Sequence, residues 1–141
     1  MGRKASAEWF GDLKSGKGTM SGASGAFEGL AFSFRTRFEE EPGTNPEELV
    51  AAAHAGCFSM ALSNELASAG LNPESVRTVA DMSLGEVEGG FAITRIRLVA
   101  TARVPGADEG QVREIAARAK AGCPISRSLT GEISLDLTVE T

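Results

Sequence analysis

The stretch NPEELVAAAHAGCFSMALSNELASA, residues 45–69, decides the fold. Asn45 or Thr44 supplies a helix cap, Pro46 sits in the first turn, and Glu47 and Glu48 favour its positive end. The spacing predicts one long helix over roughly Pro46 to Ala69, stopped by Gly70 and the Asn72-Pro73 step that follows. For its first several turns this helix is apolar nearly all round, and it becomes amphipathic only near Asn64 and Glu65. A helix of that kind is buried on most sides. A single sheet in so short a chain cannot wrap it, so the expected source of the missing cover is a second subunit.

Working outward, the segment from about Lys4 to Phe38 is rich in Gly and Ser and reads as strands joined by turns and bulges. Within it Leu30, Phe32, Phe34 and Phe38 alternate with Ala31, Ser33, Arg35 and Arg37 as in a half-buried strand, which would put Arg35 and Arg37 on its other face. After the long helix come two strands, about Val76 to Val87 and Phe91 to Val104, joined at Glu88-Gly89-Gly90 as a hairpin. Ile96, Leu98, Ala100, Ala102 and Val104 form one face of the second. Pro105-Gly106 ends it, and Asp108 caps a second helix with Val112, Ile115, Ala116 and Ala119 at helical spacing. Cys123 continues that stripe inward, Pro124 disturbs or ends the helix, and a short segment runs to Leu129. Ile133, Leu135, Leu137 and Val139 alternate with polar residues as a final strand. These strands and helices read as one domain spanning residues 1–141.

The composition is that of an ordinary globular domain: 141 residues, 42% hydrophobic, 23% charged. A chain of this size buries roughly 68 to 70% of the surface its unfolded form exposes, enough for a core without metal or disulfide staples. With Lys+Arg at 14 against Asp+Glu at 19 and a net charge of -5, counterion release has no source, so nucleic acid is not expected as a partner. The start MGRKASAEWFGD reaches Glu8 and Asp12 before any apolar run develops, and no run elsewhere approaches the 18 or so apolar residues of a span. No membrane association is expected, and the expected location is the cytoplasm. In such a reducing compartment the two cysteines are catalytic, redox-sensing or plain core residues rather than a permanent bridge.

Zinc is excluded by ligand spacing, since two lone cysteines and one histidine form no close pair. Gly16, Gly18, Gly22 and Gly25 lack the Lys-Ser/Thr pair of a phosphate loop and read as turn chemistry. Papain-type catalysis would need a third member beside Cys57 and His54, and none presents itself. What remains is Cys57 on the long helix and Cys123 on the inward face of the second. Free cysteines are commonly buried small hydrophobes, and spacing alone does not separate that reading from a functional one.

The residues around them separate the two. TRFEEEPGTNPEELVAAAHAGCFSMAL and AKAGCPISRSL, with the early EWFGDLKSGKGT and the later GFAIT, resemble the OsmC/Ohr family of thiol-dependent organic hydroperoxide reductases. The likeness runs over essentially the whole chain and is closest to the OsmC branch, given the longer amino-terminal hairpin region and the GTNPEEL entry to the helix. It implies an α+β, OsmC-like fold of antiparallel strands with two main helices, and an intertwined homodimer with the long helices at its centre and two active sites along the interface. It also implies roles. The peroxidatic cysteine of AAHAGCF falls on Cys57 and the resolving cysteine of KAGCP on Cys123; the arginine of TRFE and the first glutamate of NPEEL fall on Arg37 and Glu47.

The implied chemistry suits those residue types and needs no cofactor. A thiolate attacks a peroxide oxygen, an alkoxide leaves, and the sulfenic acid condenses with a second thiol to a disulfide that an external dithiol, such as a lipoyl group, reduces. Full ionisation of a thiol of pKa about 8.5 gains only roughly twenty- to thirty-fold at neutral pH. Arg37 is therefore also expected to stabilise charge on the leaving oxygen, worth a further ~10²-fold in a dry site. Glu47 is expected to orient its guanidinium fork rather than act as a base. His54 reads as a hydrogen-bonded core or interface residue. Phe58, Met60, Phe32 and Phe34 read as core, some of them lining an apolar pocket for an organic tail. The competing reading is a non-enzymatic redox sensor or stress-binding dimer that uses the same disulfide as a switch.

Overall fold

The computed structural model describes all residues, Met1–Thr141. The chain divides into two compact units, Met1–Leu49 and Val50–Thr141.

In the first unit, β1 (Ala5–Phe10), β2 (Lys17–Gly22) and β3 (Leu30–Ser33) form an antiparallel sheet in chain order. Gly18 on β2 stands opposite both Trp9 and Phe32, whose ring centroids meet at 5.3 Å. A Cβ at Gly18 would lie 2.8 Å from each of those rings, so the aromatic pair closes over this strand only because the position has no side chain.

The alternation from Leu30 onward does not continue as a strand. Phe34–Phe38 is a helical turn, α1, and the expectation that Arg35 and Arg37 share one strand face is corrected accordingly. The cause is a reciprocal capping box: Thr36 N–H donates to Ser33 Oγ at 3.2 Å while Ser33 N–H donates to Thr36 Oγ1 at 2.9 Å. Two local hydrogen bonds outcompete a ladder whose neighbour strand has run out. Residues two apart on a helix point to nearly opposite sides, and the arginines part company: Arg35 pairs with Glu39 and Glu41, Arg37 with Glu47.

Helix α2 spans Pro46–Ser68 without interruption. Asn45 Oδ1 accepts the Glu48 N–H at 2.9 Å, so Asn45 and not Thr44 is the cap. At the other end Leu71 N–H donates to Leu66 O and Gly70 N–H to Ala67 O, with Gly70 at φ 79°; this is the Schellman arrangement that glycine permits. The helix buries only a stripe at every fourth residue, His54, Phe58, Leu62 and Leu66. Ala52, Ala53, Gly56 and Met60 on other faces are exposed in the single chain, Met60 at 76%. Burial on most sides, as its composition leads one to expect, is therefore not achieved by this chain's own residues. No helix of the chain is long and apolar enough to cross a membrane.

In the second unit, β4 (Ser75–Val87) and β5 (Gly90–Arg103) form the expected hairpin. Asp108 caps α3 (Glu109–Gly122) by accepting the Gln111 N–H, and α4 (Pro124–Ser128) leads to β6 (Glu132–Glu140). Here the all-antiparallel expectation needs one correction: β6 pairs with β5 in parallel. A chain that leaves the end of β5, crosses by α3 and α4 and re-enters alongside makes a parallel neighbour. Arg113 Nη1 donates to Leu137 O at 2.8 Å and Lys120 Nζ to Ile133 O at 3.2 Å, tying α3 to that strand.

The core lies on one face of this sheet. Ile96, Leu98, Ala100 and Ala102 of β5 meet Phe58, Leu62 and Leu66 of α2 and Val112, Ile115, Ala116 and Ala119 of α3, while β6 contributes Ile133, Leu135, Leu137 and Val139 at its margin. Phe58 is fully buried there, so Phe58→Ala is expected to cost about 3 to 5 kcal/mol from lost transfer energy and the cavity left behind. Urea unfolding of the two proteins measures it.

Candidate active site

The four residues singled out from the sequence fall into two pairs, each built by its own unit. In the first, α1 and the beginning of α2 are joined by Asn45, whose side-chain amide donates to Thr36 O at 3.1 Å while its oxygen caps α2. That clamp sets Arg37 beside Glu47. Arg37 Nη2 donates to Glu47 Oε1 at 2.7 Å, and Nε donates to Oε1 and Oε2 at 3.1 and 3.2 Å. Both side chains are partly shielded, at 34% and 16% exposure, so the contact belongs to the stronger class of fork-to-carboxylate pairs. The guanidinium carbon also stands 5.1 Å from the Phe38 ring centre, and Phe38 packs against Phe34 at 4.9 Å. Arg37 opens onto a cleft of about 410 Å³ lined by Trp9, Leu13, Phe32, Phe34 and Phe38. Of the four apolar residues expected as core with some lining a pocket, Phe58 is core, Phe32 and Phe34 line this cleft, and Met60 is exposed.

In the second unit the sulfurs of Cys57 and Cys123, 66 positions apart, meet at 2.9 Å as free thiols. Cys57 is half-buried on α2 and Cys123 fully buried. Cys123 is not on α3, as the inward stripe suggests; it is the residue between α3 and α4, where Pro124 forces the break. Burial pushes the Cys57 thiol up, and its hydrogen bond to Cys123 pushes in the same direction, against a smaller downward pull from the Ile125 N–H. Burial also pushes Cys123 up, but the Cys57 thiol, the Ser126 N–H and hydroxyl and the Ile125 N–H together carry it below its ordinary value. Cys123 makes no capping hydrogen bond of ordinary geometry, so these backbone N–H groups act on its sulfur as nearby dipoles.

His54 is fully buried, as the sequence suggests, with Nε2 2.8 Å from Ser126 Oγ. Burial pushes its pKa down, so the imidazole is neutral at neutral pH. Sequence reasoning did not single out Ser126, which lies 72 positions from its partner. Nothing local signals that contact. The Ser33–Thr36 box was legible as a serine three residues before a hydroxyl side chain.

Comparison with known proteins follows the same lines. The family described as OsmC-like protein matches residues 38–138. The chain is 52% identical over 139 residues to a protein named Peroxiredoxin OsmC from Escherichia coli, covering 99% of this chain and 97% of that one. It is 35% identical over 98 residues to an Organic hydroperoxide resistance protein of Xanthomonas axonopodis pv. citri, 69% of this chain and 67% of that one. Among solved structures it is similar to an organic hydroperoxide resistance protein OsmC from Legionella pneumophila, with TM-score 0.67, 26% identity and coverage of 98% and 97% of the two chains. It shares the fold of an OsmC-like protein of unknown function from Vibrio cholerae at TM-score 0.78 and 19% identity, covering 98% and 99%.

Proposed function

The chain belongs to the OsmC-like protein family and is a cysteine-based peroxidase, and from that premise we propose that it reduces organic hydroperoxides in preference to hydrogen peroxide. The observation that carries the reading is the meeting of two free thiols distant in sequence, one of them half-exposed. Cys57 attacks the peroxide and becomes the sulfenic acid, Cys123 condenses with it to a disulfide, and an external dithiol of lipoyl type restores both thiols. Arg37 binds the peroxide and stabilises the departing alkoxide, and Glu47 holds its fork. The preference for an organic tail is supported by the apolar cleft onto which Arg37 opens. Steady-state turnover with cumene hydroperoxide, tert-butyl hydroperoxide and hydrogen peroxide, with dihydrolipoamide or glutathione as reductant, tests it. Repeated turnover, fastest with the bulkier peroxides, is expected; a single stoichiometric oxidation would instead identify a sensor.

We further propose that the enzyme works as a cytoplasmic homodimer with shared sites. Glu47 and Cys57 stand ten positions apart on one unbroken helix, ~15 Å along its axis. A helix that begins at Pro46 favours this over a late start with its first residues folded back. Arg37 and Glu47 of one subunit then serve Cys57 of the other, and the exposed apolar faces of α2 give the subunits a surface to bury. Mixing inactive Cys57→Ser with inactive Arg37→Ala after gentle dissociation is expected to recover activity, up to about one working site per mixed dimer. Verified heterodimers without activity would put both residues on one chain.

A further inference from the structure

Two side-chain contacts join α2 to the segment that begins at Cys123, and they have the same spacing on both sides. Cys57 Sγ meets Cys123 Sγ at 2.9 Å, and His54 Nε2 meets Ser126 Oγ at 2.8 Å. His54 stands three residues before Cys57 on α2, and Ser126 three residues after Cys123, the N-cap residue of α4. Three residues of helix advance ~4.5 Å and return to nearly the same face, so the two contacts are adjacent rungs of one short ladder. The second rung is the main side-chain attachment of α4. That helix places no residue in the apolar core, and Ser126 is its only buried residue. The bond forms whichever partner carries the proton, since Nε2–H donates to the hydroxyl oxygen or the hydroxyl donates to Nε2. His54 is fully buried, yet its Nδ1 makes no hydrogen bond. Core stability alone does not ask for an imidazole here, because a leucine fills a buried helix position with no polar atom to satisfy.

We propose that His54 and Ser126 are positioning residues for the resolving step: their hydrogen bond latches α4 onto α2 and so keeps Cys123 Sγ placed to attack oxidised Cys57. The inference rests on the reading that Cys57 is oxidised first and Cys123 resolves it. As the S–S bond forms, the S–O bond of the Cys57 sulfenic acid breaks, and the departing hydroxide takes up the proton given by the Cys123 thiol to leave as water. The sulfenic sulfur is reduced as the Cys123 sulfur is oxidised, so no further reactant is required. The attacking sulfur has to meet the Cys57 sulfur in line with the departing oxygen, so its placement sets the rate. With no apolar anchor of its own, α4 is restrained by the hydrogen bond one turn from Cys123. Neither His54 nor Ser126 gives or takes a proton in the step.

Ser126→Ala, His54→Leu and the double variant are compared with the unsubstituted protein, circular dichroism checking that each is folded; Ser126→Ala removes only the hydroxyl oxygen. In a single turnover with cumene hydroperoxide, the rate of Cys57 oxidation is expected to change less than about twofold, while disulfide formation from the sulfenic acid slows about tenfold, the effect of losing one hydrogen bond. Sulfinic acid on Cys57, read by mass spectrometry at high peroxide, is expected to rise accordingly, because a longer-lived sulfenic acid meets a second peroxide. The double variant is expected to be no slower than the slower single one, since all three lack the same bond. A peroxide-free arm equilibrates the Cys57–Cys123 disulfide with reduced and oxidised dithiothreitol. There the variants are expected to hold the disulfide about tenfold less well, a potential ~30 mV higher for this two-electron couple. Unchanged disulfide formation in folded Ser126→Ala would overturn the proposal, as would equal slowing of both steps, independent effects that multiply in the double variant, or an unshifted equilibrium. Failure of the peroxidase reading is distinguishable: the dithiothreitol equilibrium would shift as expected, while peroxide would give no Cys57 sulfenic acid in the unsubstituted protein.

Discussion

Cys57→Ser is expected to reduce hydroperoxide consumption to the uncatalysed background, a loss on the order of 10³-fold or more, because the serine hydroxyl does not ionise near neutral pH and is a far weaker nucleophile toward peroxide oxygen. The substitution changes one atom at a half-buried position of α2, so folding and the Phe58 core are expected to survive it. The comparison that gives this result meaning is Cys123→Ser. Loss of the resolving thiol leaves one rapid turnover, after which the Cys57 sulfenic acid persists or over-oxidises. Mass spectrometry after one equivalent of peroxide reads both: a Cys57–Cys123 disulfide in the unsubstituted protein, an oxygen adduct on Cys57 in Cys123→Ser, and no change in Cys57→Ser. A missing disulfide in the unsubstituted protein would sink the pairing.

Arg37→Lys is expected to cost about 10²-fold in kcat/KM although it keeps the charge, because the planar fork with its two parallel N–H groups is lost. The geometry makes the demand specific. Glu47 holds Arg37 through both Nε and Nη2, which leaves the guanidinium fixed in orientation beside an apolar cleft. A lysine ammonium can take up the ion pair but not the orientation. The charge itself also matters more than for an ordinary thiol. Burial and the contact with Cys123 both push the Cys57 thiol up, so a cation delivered to Cys57 has more to offset than at an ordinary thiol. Arg37→Ala, which removes charge and fork together, is therefore expected to be worse than Arg37→Lys, and the pH profile of kcat/KM separates the two losses. Near-full activity in Arg37→Lys would show that charge alone suffices.

The sequence by itself determined most of what depends on neighbours along the chain. The bounds of α2 follow from Asn45, Pro46 and Gly70; the β4–β5 hairpin follows from Glu88-Gly89; the buried stripe of α3 follows from Val112, Ile115, Ala116 and Ala119. Periodicity, caps and turn residues act within a few residues, so they can be read there. The likeness of the cysteine-bearing segments to a known family added Arg37, Glu47, Cys57 and Cys123 as the candidate site. Four things were decided only by tertiary structure. Phe34–Phe38 turned helical because β2 no longer offers a partner there and Ser33 and Thr36 satisfy each other. Strand β6 ran parallel because the path of α3 and α4 returns it to the edge of β5 in that direction. The bidentate hold of Glu47 on Arg37 required Asn45 to bind both Thr36 and Glu48. The His54–Ser126 contact and the meeting of the two sulfurs join positions 72 and 66 residues apart. Such contacts form only once packing has closed the intervening loops, and no local preference of histidine, serine or cysteine encodes which partner will arrive.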